Sequence, residues 1–166
     1  MKQFEVYLAG RISGLNYDEA QHLRLKITEK LTRCGIKVRN PMRGKVRFLK
    51  SKGKITVDVV RQSEEAGAAD SVTLQELILR DLHDLDRVNA LVVITGDEPS
   101  WGTCGEFWYT TWVSKKPTLV ISKNGDSISW LSHFATKIVK NEDEAVEVLK
   151  VWQRYWDDGE GVYDIE

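Results

Sequence analysis

Cysteine is scarce in this chain. Among 166 residues there are 2, Cys34 and Cys104, so neither a disulfide framework nor a four-thiolate zinc site is open to it. The 3 histidines, His22, His83 and His133, stand far apart and lack the spacing of metal ligands. A surplus of one charge is also missing. Lys plus Arg is 24 and Asp plus Glu is 25, a formal net charge of -1. That argues against a nucleic-acid polymer as the main partner, which favours a strongly basic face. It leaves room for a small anionic ligand. No window approaches the roughly 20 apolar residues of a membrane span. The opening MKQFEVYLAGRISG carries only a short, strand-like apolar stretch and no signal-peptide pattern. The expectation is a cytoplasmic protein with no membrane partner.

What is present is ordinary globular material. Hydrophobic residues are 42% and charged residues 30%, far from disordered composition. The length suits one domain, and a chain of this size buries about 70% of its unfolded surface on folding. We expect a single domain over 1–156, an irregular excursion at 42–71, and an acidic tail at 157–166. Tryptophan is abundant at 6, and Trp101, Trp108, Trp112 and Trp130 crowd one segment.

Strand and helix signals alternate. Phe4 to Ala9 is apolar and β-rich. Asn16 or Asp18 caps a helix to about Arg33, with Ala20, Leu23, Ile27 and Leu31 at helical spacing and Gly35 as its stop. Ile36 to Val38 is a short strand, broken by Asn40-Pro41. After the excursion, Leu74, Leu77, Ile78, Leu82 and Leu85 form a second helical stripe. Ala90 to Ile94 is a continuous apolar run, as in a strand buried on both faces. Gly102-Thr103-Cys104-Gly105 leads into a helix expected to run to Ser114, followed by a strand over Pro117–Ser122, a helical turn over Ser129–Phe134 and a strand over Thr136–Val139. Asn141 with Glu144 is a capping box for a last helix to about Tyr155. The pattern predicts a three-layer α/β/α fold on a five-stranded, parallel, doubly wound sheet, flavodoxin- or Rossmann-like. Ligands in such sheets bind beyond the carboxyl ends of the strands. That rule selects the loops at 10–14, 40–45, 95–106 and 122–125.

Gly10-Arg11-Ile12-Ser13-Gly14 allows close backbone approach to a ligand. It is neither GxGxxG nor a Walker A loop, and an ordinary βα turn reads equally well. Met42-Arg43-Gly44-Lys45 places two cations at a strand end. Arg43 there is either a fork for phosphate or carboxylate or a solvated loop residue. Asp81 and Asp84 lie on the helix before the central strand. Its carboxyl-terminal end should face away from the active edge, so propensity alone reads both as solvated. Gly102-Thr103-Cys104-Gly105-Glu106 is the sharpest signal. It sets Glu106 in the first turn of a helix, where the dipole favours a carboxylate. Glu106 is then an ionised nucleophile or a capping residue. Cys104, with no histidine placed beside it, reads as packing. Trp108 and Trp112, one helical turn apart, read as a buried pair. Trp101 is a platform for a base or sugar.

Taken together these motifs resemble the nucleoside 2-deoxyribosyltransferase family over roughly residues 4–150. They are Tyr7-Leu8-Ala9-Gly10, the Asp81 helix before an apolar strand, Gly102-Thr103-x-x-Glu106, and Lys116-Pro117 opening the next strand. The phage and bacterial branch with AGxISGLxYxEA, PMRGK and SWGTxxE patterns is the most similar. The resemblance implies that Glu106 attacks C1′ of the sugar, that Asp81 (with Asp84 the near alternative) contacts the base, and that Tyr7 stands beside the nucleophile. It implies a small-molecule nucleoside or nucleotide and a free nucleobase as partners, no cofactor or metal, and a homodimer or larger homo-oligomer. The aromatic and acidic tail (Trp156, Tyr163, Asp164) is a candidate to cross to a neighbour. Arg11 stands where the family often has Pro, Ser100-Trp101 where an aspartate often precedes Gly-Thr, and Trp108 where it often has Gly. These departures fall on the substrate pocket. Related nucleoside 5′-monophosphate N-glycosidases use serine and arginine for the phosphate, a role open to Arg11, Ser13 and Arg43. Gly10, Trp101, Gly102 and Thr103 complete the expected binding residues. A binding module without turnover is the further alternative.

Overall fold

The computed structural model describes residues 3–12, 15–43, 74–95, 100–123 and 129–159. Its elements follow the expected alternation: β1 (Glu5–Gly10), α1 (Tyr17–Arg33), β2 (Lys37–Arg39), α2 (Leu74–Arg87), β3 (Ala90–Ile94), α3 (Trp101–Trp108) with a π-helical continuation (Tyr109–Val113), β4 (Thr118–Ile121), α4 (Ser129–Phe134), β5 (Lys137–Val139) and α5 (Glu142–Asp157). The strands form one sheet in the order β2-β1-β3-β4-β5, and every pairing is parallel.

Local chemistry explains the boundaries. Asn16 accepts from the backbone of Glu19, and the Glu19 side chain returns the bond to the backbone of Asn16. This capping box starts α1. Gly35 at φ 78° ends it, in the left-handed conformation that glycine adopts at least cost. Asn141 caps α5 by accepting from the Glu144 backbone, but the expected box does not close on the Asn141 backbone: the Glu144 carboxylate accepts from the Lys140 backbone and the Asn141 side-chain amide instead.

Alternation along β1 separates two cores. Val6 and Leu8 join Ile27, Leu31, Val92, Leu119, Leu149 and Trp152 beneath α1 and α5. Tyr7 and Ala9 turn the other way, toward Leu85, Leu91, Val93, Phe107 and Leu131 beneath α2, α3 and α4. The three-layer sandwich follows from that period of two. A third, small cluster of Ala20, Met42 and Leu77 ties α1 to the amino-terminal half of α2.

Two packing expectations are corrected. Ile78, placed on the buried stripe of α2, is exposed, while Leu77 and Leu85 are buried. Trp108 and Trp112 are not core: they are 48% and 51% exposed. Their rings lie 5.3 Å apart, and Phe134 meets them at 6.0 and 5.5 Å, an aromatic cluster on the surface. Of the expected excursion only Met42 and Arg43 fall within the described residues, and Tyr163 and Asp164 of the tail fall outside them. Trp156 packs edge-on against Phe4 of its own chain, centroids 6.4 Å apart.

Candidate active site

The strand order reverses between β1 and β3: one connection leaves β1 toward β2 and the next element in the sheet lies on its other side. A crevice therefore opens at their carboxyl ends, where Gly10 pairs with Ile94. Tyr7, three residues before the end of β1, is fully buried. Its hydroxyl donates to Glu106 Oε1 at 2.7 Å. Burial first, then the charges of Glu106 and Asp81 and the bond to Glu106, push the Tyr7 phenol far above its ordinary range. Tyr7 is thus a permanent donor, and it fixes the carboxylate by one oxygen.

Glu106 sits differently on its helix than the sequence suggests. The Ser100 hydroxyl caps α3, accepting from the Thr103 backbone at 3.3 Å and bonding the Thr103 hydroxyl at 3.0 Å. The helix begins at Trp101, so Glu106 is in its second turn, and the first turn holds no acid. The dipole effect fades beyond the first turn, so the expected dipole stabilisation of Glu106 is much reduced. Thr110 bonds the Glu106 carbonyl at 2.8 Å, where α3 passes into its π turn.

Asp81 lies mid-helix, the eighth residue of α2, and not near its end. That weakens the topological objection to it, because its neighbour Arg80 bonds the Pro41 and Arg43 carbonyls just beyond the carboxyl end of β2. Its charge is felt at Tyr7. Arg80 grips Asp81 Oδ1 through Nε at 3.1 Å and Nη2 at 2.6 Å. The same guanidinium donates to the carbonyls of Pro41 at 3.0 Å and Arg43 at 2.7 Å, fastening the turn after β2 to α2.

Asp84 is 2% exposed. Arg39 reaches its Oδ1 at 3.0 Å, and Arg43 contacts its Oδ2. Arg39 also bonds Glu5 at 2.6 Å, and Lys37 bonds the other Glu5 oxygen at 2.7 Å. A charge relay thus runs from the sheet edge to Arg43, and Asp84 uses both oxygens within it. The geometry makes Asp84 the anchor of Arg43. The Arg43 side chain stays 46% exposed.

The remaining expected residues are dispersed. Gly10 is buried at the crevice, and a Cβ there would stand 3.2 Å from Arg24 Nη2 and 3.3 Å from the Ile94 carbonyl. Arg11 is exposed, and Ser13 lies outside the described residues. Trp101 is 94% exposed. Gly102 is exposed, whereas Thr103 is buried behind the cap. Burial raises the Cys104 thiol, which fits packing rather than nucleophilic use. Among the described residues no group of three or more His, Cys, Asp or Glu could hold a metal ion. No described helix is long and apolar enough to cross a membrane. Sequence reading missed Arg24, Arg39 and Arg80. Arg80 stood beside Asp81 and carried no role, and Arg24 lies in no motif that the sequence offers.

The five-stranded, parallel, doubly wound fold is shared with several solved structures. The 2-deoxyribosyltransferase of Bacillus psychrosaccharolyticus superposes with a TM-score of 0.59 at 17% identity, over 86% of this chain and 90% of that one. The CMP N-glycosidase BcmB of Clostridium botulinum gives 0.50 at 14% identity, over 89% and 98%. The Moco carrier protein of Chlamydomonas reinhardtii gives 0.55 at 12% identity, over 90% and 97%. No family model and no curated protein matches the sequence.

Proposed function

We propose that this protein cleaves the N-glycosidic bond of a 2′-deoxynucleoside, or of its 5′-monophosphate, through a covalent sugar intermediate on Glu106. The observation that carries the reading is the Tyr7–Glu106 hydrogen bond of 2.7 Å at the switch point of the sheet. A carboxylate held by a buried phenol in the second turn of its helix supports the reading as a positioned nucleophile over that as a capping residue. A carboxylate oxygen of Glu106 attacks C1′ as the C1′–N bond breaks. The bonding pair leaves on the base nitrogen, which takes its proton from the Asp81 carboxyl acting as general acid, and the proton that the second base or water later loses returns to Asp81. The transition state is oxocarbenium-like, as in retaining glycosidases. A second base or water then attacks C1′, frees the carboxylate and loses its own proton. Base gives transfer, and water gives hydrolysis.

A second reading, hydrolysis of nucleoside monophosphates, is favoured by Arg43 and Arg11. Both are solvent-accessible at the carboxyl edge. The relay of Lys37, Arg39 and Arg43 against Glu5 and Asp84 leaves one positive charge over, suited to a phosphate. The exposed cluster of Trp108, Trp112 and Phe134 supports a homo-oligomer within the same proposal.

Chromatography of the protein with deoxynucleosides and their 5′-monophosphates, with and without a second free base, tests these readings. A new nucleoside formed only with added base establishes transfer. Base released without exchange, mainly from monophosphates, establishes hydrolysis. Glu106→Ala must abolish either reaction and spare binding. Activity that survives this substitution overturns the mechanism, and binding without turnover in the unaltered protein leaves a nucleotide-binding module.

A further inference from the structure

One guanidinium on α2 serves two parts of the site. Arg80 donates to Asp81 Oδ1 from Nε at 3.1 Å and from Nη2 at 2.6 Å. Nη2 also donates to the Pro41 carbonyl at 3.0 Å, and Nη1 to the Arg43 carbonyl at 2.7 Å. All three nitrogens are engaged, and a guanidinium is planar, with its donors in a fixed fork. Bonds to a neighbour would suffice to steady Asp81. The two carbonyls, 39 and 37 positions back in the chain, join it to the turn after β2. A shift of that turn therefore tilts the plane that holds Asp81. The turn is built into the same frame from its other sides. The Asn40 amide donates to the Gln21 side chain on α1 at 3.0 Å, and the Asn40 oxygen accepts from the Met42 backbone at 2.9 Å. Met42 is buried with Ala20 of α1 and Leu77 of α2. Arg24 of α1, wholly buried, donates to the Ala20 carbonyl at 2.6 Å and to the Gly10 carbonyl at 2.5 Å, which ties α1 to the crevice end of β1. Pro41 and Met42 are buried, whereas Arg43 is exposed and carried by Asp84 of α2. The turn thus meets α2 twice, by its carbonyls at Arg80 and by its cation at Asp84.

We propose that Arg80 is a positioning residue that couples the turn bearing Arg43 to Asp81, so that a substrate phosphate held by Arg43 speeds departure of the base as well as tightening binding. The proposal rests on the readings of Asp81 and Arg43 given above. Binding energy from a remote group of the substrate then goes into orientation at the reacting centre. Arginine is required for it. Lysine keeps the charge but brings a single nitrogen, which cannot hold a carboxylate and two carbonyls in one plane.

Two measurements test it. The first is base release from a 2′-deoxynucleoside 5′-monophosphate and from the matching nucleoside, by the unaltered protein, Arg80→Gln and Arg80→Lys. In the unaltered protein the phosphate raises kcat roughly tenfold over the nucleoside. In both variants the two kcat values converge, while KM for the monophosphate changes little, because Asp84 still holds Arg43. A phosphate advantage that lies in KM alone, or that survives in kcat in either variant, overturns the coupling and leaves Arg80 as a structural tie. The second measurement needs no turnover. In Glu106→Ala protein, calorimetric binding of the same monophosphate to Arg43→Met, to Asp81→Asn and to the double variant gives the interaction between the two positions. Non-additive effects that become additive once Arg80→Gln is added support the proposal, and additive effects with Arg80 in place overturn it. If Arg80→Gln does not fold, Arg80→Lys takes its place in both measurements. Monophosphate that fails to bind the Glu106→Ala protein at all refutes the functional reading, and the proposal with it. Additive binding beside normal turnover refutes the proposal alone.

Discussion

Asp84→Asn separates a structural carboxylate from a substrate-binding one. Asp84 is 2% exposed and accepts one arginine on each oxygen. Asparagine keeps the shape and one acceptor oxygen. It removes the charge and turns an NH2 toward one of the two guanidiniums. Breaking a buried ion pair costs about 3–5 kcal/mol, because the surviving charge stays desolvated. Arg39, with 15% of its side chain exposed, carries most of that cost; Arg43, at 46%, is screened by solvent and adds little. For a chain of this size the loss corresponds to a fall in Tm of roughly 6–20 °C. Thermal unfolding of the purified variant reads it directly. Arg39→Met alone should fall by a similar amount, and the double variant by less than the sum. Substrate affinity should weaken only through the released Arg43. A Tm within a degree of the parent, accompanied by a large rise in KM, would refute the reasoning and return Asp84 to the substrate.

Three further outcomes are expected. Tyr7→Phe removes one hydroxyl bonded to a charged oxygen, an interaction worth about 1.5–3 kcal/mol; the bond is already made in the resting protein, so Tm should fall by roughly 3–12 °C, and kcat should fall roughly ten- to hundredfold as the carboxylate loses its anchor; full activity would remove Tyr7 from the site. Glu5 is pushed up by burial but pulled further down by its bonds to Lys37 and Arg39, and its carboxyl lies below the ordinary value of 4.5. It is therefore ionised more readily folded than unfolded, and its stabilisation is present above that value and lost as pH falls below it; Glu5→Gln should flatten the acid limb of stability against pH, and an unchanged limb would deny the relay. Trp112→Ser, at a half-exposed ring with two aromatic neighbours, should cost about 1–3 kcal/mol, the scale of two aromatic contacts, against the 3–5 kcal/mol of a core tryptophan; a loss at the top of the core range measured by urea unfolding would refute its surface placement.

Periodicity made the layers legible. The β3 run from Ala90 to Ile94 and the caps at Asn16 and Asn141 read directly, because strand burial and capping are local chemistry. The tryptophans misled because helical spacing records which residues share a face, not whether that face is covered. Glu106 read as a first-turn residue because Gly102 to Gly105 looked like the lead-in to a helix; the Ser100 cap starts the helix at Trp101, five residues before Glu106. Tyr7 and Glu106 are 99 positions apart in sequence, and only their motif resemblance brought them together in advance. Arg24 had no sequence signal, since its meaning depends on what α1 rests upon.

The relay through Glu5 also bears on how the molecule keeps to itself. β2 is a strand of three residues, Lys37 to Arg39, and among the described strands it is an outer one, paired on one side only. Two of its three side chains are cationic and tethered to Glu5. A short, charged border is how sheets discourage a second sheet from zipping on. Neutralising Lys37 and Arg39 would loosen Asp84, and it would also turn that border into a seed for aggregation.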